Sequence, residues 1–221
     1  MLEEMITEAQ DASPVKPLWR GRLHQIAFFA SLPAGVALVA VASGVEARLV
    51  ATVFASSITG LYGTSALYHR GRWSPRGLRL MQRLDHSMIF VLIAGTYTPL
   101  TLLALRPAWG ITLLCLAWTG AAVGITLKFL RLNRLRHVGD VMYIGLGWLI
   151  VVATPQLLRS LGAGQLALIV TGGVLYTVGA IVLAARKPDP DPRVFGYHEV
   201  WHAFVVAAGL CHYAAIFGIV H

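Results

Sequence analysis

Seven apolar stretches, near residues 24–43, 48–69, 84–105, 108–130, 138–159, 163–185 and 197–219, leave this chain few choices of fold. A helix needs about 20 apolar residues to cross a bilayer, and each stretch is long enough. Membrane strands take about 10 residues and alternate in polarity, which these stretches do not. Hydrophobic residues make up 57% of the 221 and charged residues 13%, where a soluble domain carries about 25% charge. The expected fold is all-α, with seven transmembrane helices. Residues 1–23 form a short tail and residues 24–221 one membrane domain.

A formal charge of +8 suggests a nucleic-acid binder, but the placement of the charge argues otherwise. With the tail inside, Lys16, Arg20 and Arg22 precede the first span. Arg70, Arg72, Arg76, Arg79 and Arg83 follow the second, and Lys128, Arg131, Arg134 and Arg136 follow the fourth. Arg186, Lys187 and Arg193 follow the sixth, and only Arg48, Arg106 and Arg159 mark the other side. Fifteen of 18 basic residues on one side predict a cytoplasmic N-terminus and an external C-terminus. Anionic lipid headgroups then account for the charge, and no nucleic acid is expected as a partner.

The tail carries Glu3, Glu4, Glu8 and Asp11 without a cleavable signal pattern, so the first helix is expected to direct insertion. Cys115 and Cys211 lie inside apolar stretches and read as small core residues rather than a disulfide. Pro188, Pro190 and Pro192 alternate with Asp189 and Asp191, which ends the sixth helix and sets the angle of the seventh. Gly120 and Gly124, four apart, allow close packing of the fourth helix.

The chemistry concentrates at the basic end. His198 and His202 stand four apart at the start of the last span, on one helix face about 6 Å apart along the axis. His69 closes the second span and Asp85 opens the third, at the same expected depth. Ser65 lies one turn deeper than His69 on the same face. Ionisable groups in a membrane need a reason. Three imidazoles with one open position suit a catalytic-type zinc site. Asp85 can hold a metal-bound water or orient a ligand, and Ser65 can donate to a substrate oxygen.

Other readings stay open. The last-span pair can be interfacial imidazoles, and Asp85 an N-cap or first-turn acid. His198-Glu199-x-x-His202 also matches the zincin pattern, with Glu199 as general base. On a helix Glu199 lies about 100° from His198, which can turn it toward loops and headgroups. His212 reads as a packed core histidine, His86 as interfacial and a reserve ligand, and Asp140 as a first-turn acid or partner of Arg134 or Arg136. Tyr97 and Tyr143 suit helix contacts or a cavity wall, and Gln156 and Arg159 the outer interface.

Ser65-Ala66-Leu67-Tyr68-His69 resembles the Ser-x-x-x-His of the progestin and adipoQ receptor family. Asp85, in Leu84-Asp85-His86-Ser87, is similar to that family's acidic position in the third helix, and His198 and His202 to its last-helix His-x-x-x-His. Within the family the chain resembles the bacterial hemolysin III branch, with further likeness in Ala94-Gly95-Thr96-Tyr97-Thr98-Pro99 and from Trp201-His202 to Cys211-His212-Tyr213. The resemblance spans roughly residues 20–219. It implies seven helices, zinc on His69, His198 and His202 near the cytoplasmic face, and a bacterial inner-membrane location. It also implies kinship with zinc-dependent alkaline ceramidases.

The functions this leaves are a zinc-dependent hydrolase of lipid amides or esters acting in lipid homeostasis, with Asp85 and Ser65 catalytic, and a lipid-sensing receptor with structural zinc. A pore-forming cytolysin and an intramembrane metalloprotease are further alternatives. Membrane lipids are the expected partners, with a fatty-acyl ligand in a pocket running from the zinc toward the bilayer midplane. No oligomeric state is assigned.

Overall fold

The computed structural model describes residues 16–130 and 136–221, with side chains left undescribed at 136–138 and 140. The acidic tail residues, Arg131, Arg134 and the side chains of Arg136 and Asp140 therefore lie outside the described residues. Seven spans, each long and apolar enough to cross a membrane, follow one another, and no strand occurs among the described residues. They are α1 (Arg22–Val41), α2 (Gly44–Arg70), α3 (Pro75–Ala104), α4 (Pro107–Phe129), a broken fifth span, α7 (Ala163–Ala185) and α8 (Tyr197–Val220). The fifth comprises α5 (Arg136–Trp148), a 3-10 stretch (Leu149–Ala153) and α6 (Thr154–Ser160).

The third span is the axis of the bundle, with 67% of its apolar window buried against 11% for the fifth. Outward-facing side chains such as Ile26, Phe29, Val36, Leu116, Val170 and Leu210 are large and apolar. That arrangement suits lipid as the surrounding solvent. Cys115 is among the exposed residues and Cys211 is half-buried, so the expectation of a core role fails for Cys115. Its thiol is small and apolar enough to face lipid at little cost.

Small residues set how closely the helices approach. A Cβ on Gly124 would stand 2.2 Å from the ring of Phe90, and one on Gly120 would stand 2.5 Å from Leu146. The fourth span thus receives side chains from α3 and α5 through the two glycines singled out in the sequence. Tyr97 of α3 explains how the broken fifth span is tolerated. Its hydroxyl donates to the Leu146 carbonyl at 2.8 Å and accepts from Ile150 N–H at 2.6 Å. Backbone groups released by the 3-10 stretch thereby keep partners in a medium that offers none. Tyr143, likewise, bonds the His86 carbonyl at 2.9 Å. Both tyrosines are helix contacts.

One boundary differs from the sequence reading. The third helix begins at Pro75, with Ser74 as its N-cap accepting from Gly77 N–H at 3.2 Å. Proline is favoured at a helix's first position because its missing N–H would be unpaired there anyway. The connection before it is therefore Gly71–Ser74, shorter than the loop inferred from the basic residues. Asp85 then lies ten residues into α3, so it is neither an N-cap nor a first-turn acid.

Candidate metal centre

Each side chain of the basic end is placed by a local device. His69 stands one residue before the end of α2. The chain before α1 crosses directly over it. Gly21 has φ +76°, and a Cβ there would lie 2.6 Å from the His69 Cβ. Only glycine satisfies both the left-handed backbone and the close approach. From there the segment runs along the loop before α8, with Leu18 N–H on the Arg193 carbonyl at 3.0 Å and Trp19 N–H on the Val194 carbonyl at 3.1 Å.

The start of α8 is pinned by carboxylates. Asp189 Oδ1 accepts from Tyr197 N–H at 2.8 Å, which ties the Pro-Asp loop to the first residue of the last helix. Glu199 Oε2 accepts from Gly196 N–H at 2.9 Å, and its Oε1 accepts from Arg20 Nε at 2.6 Å. Glu199 is fully buried. It faces the segments before α1 and α8, as its helix angle allowed, but not the headgroups. Both oxygens are engaged in holding α8 to the N-terminal segment, which removes the general-base role that the zincin pattern suggested.

These constraints bring His69, His198 and His202 together. One ring nitrogen from each lies within 4.8 Å of the others. The ring centroids are 4.8 Å (69–198), 4.7 Å (198–202) and 5.1 Å (69–202) apart. His69 Nε2 and His198 Nε2 stand 3.3 Å apart. A tetrahedral site with metal–nitrogen bonds of about 2.0–2.1 Å spaces its ligand nitrogens about 3.3 Å apart. The buried Nδ1 of His202 has no hydrogen-bond partner among the described residues. Convergent imidazoles, two buried and one half-buried, fit a metal ion, and these three histidines can hold one.

Ser65, one turn inside His69, is buried, and its side chain bonds that of Asp85. Asp85 thus adjoins the centre through α2 and is not among the three convergent ligands. His212 is held elsewhere, with Nε2 3.3 Å from the Ile169 carbonyl. His86 does not join the ligand set.

Sequence reasoning passed over His24. Its ring lies flat on His202, with centroids 3.8 Å apart and planes 10° apart, and neither of its buried nitrogens has a partner among the described residues. The signal was available: an ionisable residue three positions into α1, at the same end as the other histidines. Arg20 was counted as loop charge, and its distant carboxylate partner left no local pattern.

A family model for haemolysin-III-related proteins matches residues 13–213. The chain belongs to the haemolysin-III-related family. Among its relatives, "Hemolysin-3" of Bacillus cereus is 39% identical over 186 residues, covering 83% of this chain and 82% of that protein. The "Hemolysin-3 homolog" of Bacillus subtilis is 35% identical over the same length, covering 83% and 84%. More distant is the human "Monocyte to macrophage differentiation factor", 26% identical over 179 residues and covering 76% and 69%. The haemolysin-III match includes the whole N-terminal segment from Lys16, so Arg20, Gly21 and His24 fall inside the shared region together with the three convergent histidines.

Proposed function

We propose that this integral membrane protein is a zinc-dependent hydrolase of lipid amides or esters, acting in membrane lipid homeostasis. The observation that carries the reading is the juxtaposition of three convergent imidazoles with a carboxylate–hydroxyl pair one helical turn away, at the end of the bundle where headgroups lie. The fifteen basic residues that the positive-inside rule assigns to that side favour the cytoplasmic face of a bacterial inner membrane.

His69, His198 and His202 would hold the zinc, which supplies Lewis acidity and lowers the pKa of bound water. Asp85 accepts the proton of the attacking water and returns it to the leaving group. Ser65 bonds Asp85 and fixes its direction; stabilising an oxyanion requires its hydroxyl to turn from Asp85 toward the substrate. The acyl chain of the substrate lies between the apolar helices below.

The test is release of fatty acid from a panel of ceramide-like amides and glycerol esters by purified, fully zinc-loaded protein. Asp85→Asn should keep its zinc and lose the product. A loaded wild-type protein that releases nothing removes the hydrolase reading. The second reading then stands: a lipid-sensing protein in which zinc clamps α2 to α8. It is favoured by the placement of the three ligands on just these two helices. A haemolytic role rests on the name of the bacterial relatives alone.

A further inference from the structure

The segment before α1 does more than cover the histidines. Lys16, Pro17, Leu18 and Arg20 form one wall of a cavity of about 210 Å³, and His69 and Arg70 at the end of α2 form the other. Three permanently basic side chains line it. The nearby carboxylate, Glu199, is already committed to Arg20 and Gly196 N–H. Lys16 Nζ donates to the His69 carbonyl, a neutral acceptor. Arg70 has no acceptor among the described residues.

The fold therefore gathers three like charges around one concave place, and that is unfavourable without a counter-charge. Arg72, Arg76 and Arg79 at the same end are different. They stand on a turn and the first coils of α3 and do not line the cavity, so diffuse attraction to headgroups is enough to explain them.

We propose that Lys16, Arg20 and Arg70 form a binding site for a phosphate group, backed by His69. Guanidinium groups present paired donors to phosphate oxygens, and an ammonium adds a point charge. After Glu199 is subtracted, two positive charges remain for a phosphate monoester, which is close to a dianion. Pro17 and Leu18 give the cavity an apolar side suited to the glycerol backbone of a lipid. The ligand class is thus a lipid whose headgroup ends in a phosphate monoester, or free phosphate. The site does not depend on hydrolysis, since a catalytically silent protein would bind the same group.

The experiment uses the full-length, metal-loaded protein in neutral detergent. Dioctanoyl phosphatidic acid, dioctanoylglycerol and inorganic phosphate are titrated against the fluorescence of Trp19, which lies between Leu18 and Arg20 of the site and packs on Phe195 of the loop before α8. Because other tryptophans contribute, Trp19→Phe serves to assign the signal, and calorimetry repeats the titration. Phosphatidic acid should bind at least tenfold more tightly than dioctanoylglycerol. Lys16→Gln with Arg70→Gln should weaken it by roughly ten- to a hundredfold while zinc content stays unchanged. Arg76→Gln with Arg79→Gln removes the same charge from the same end and should change binding less than threefold. Competition by millimolar inorganic phosphate would show that phosphate alone is recognised; its failure to compete would assign the site to the lipid. Equal binding of the phosphorylated and neutral lipids overturns the proposal, as does equal loss in the two double variants. Neither result bears on fatty-acid release.

Discussion

The two ends of this bundle use polar groups for opposite purposes. At the end away from the histidines, polar side chains close the connections. Ser43 N–H donates to the Val220 carbonyl at 2.9 Å and Ser43 Oγ to the His221 carbonyl at 2.9 Å. Gln156 Oε1 accepts from Arg106 N–H at 3.0 Å, and Gln165 Nε2 donates to the Gly218 carbonyl at 2.7 Å. Helix ends that leave carbonyls and N–H groups unpaired have found partners there. At the histidine end, backbone satisfaction is equally good around Gly196 and Tyr197, yet four imidazoles are packed together with orphaned nitrogens on His24 and His202. Buried polar groups without partners are costly. Outside this cluster such atoms occur among the described residues only singly, at Ser87 Oγ and His212 Nδ1, so the cluster separates a place that binds something from a place that only holds the chain together.

Substitutions can break that contrast, and the largest effect should fall on the ligands. His198→Ala should reduce zinc to near zero after dialysis, a fall in affinity of at least about a hundredfold. His212→Ala should leave the metal content measured by plasma mass spectrometry unchanged. Zinc retained by the first variant would dissolve the distinction between the ends. Next comes the ion pair. Glu199→Ala leaves the mostly buried Arg20 without its partner and frees the start of α8, for a loss of about 3 kcal/mol in detergent unfolding. A loss below about 1 kcal/mol would mean that Arg20 escapes to water.

His24→Phe sharpens the comparison further. It keeps a ring against His202 and removes two unpaired nitrogens, so stability should rise by about 1 kcal/mol and zinc affinity change less than tenfold. Complete loss of zinc would instead make His24 a ligand. The smallest effect is expected at the far end. Gln165→Ala should cost about 1 kcal/mol and leave zinc untouched.

Most of the fold was legible because lipid imposes length and hydropathy on each span, and Tyr197–Val220 falls within a residue of the apolar stretch that marked it. The start of α3 was less legible. Arg76, Arg79 and Arg83 look like loop residues, yet they occupy helix turns that extend beyond the apolar window. The break in the fifth span was invisible, since Leu149–Ala153 is apolar whether its backbone is α or 3-10, and its remedy lies on another helix, in Tyr97. The three convergent histidines could be read because two share an i, i+4 face and the third follows from topology. Glu199 was read only in part, because helix angle says which way a side chain points, not what comes to meet it. Arg20 lies 179 positions away, and no local rule links the two.

That separation has a consequence in time. Chains are made from the N-terminus, and early segments settle first. Arg20 and His24 reach the membrane with the first helix, while Glu199, His198 and His202 belong to the last. Until the ribosome has finished, the arginine has no counter-charge and His69 waits alone. A nascent chain halted after α7 holds one of the three imidazoles and cannot retain metal. Capture of a metal by the three histidines is thus coupled to completion, and in a prematurely terminated copy the segment before the first helix lacks the partners that the last helix supplies.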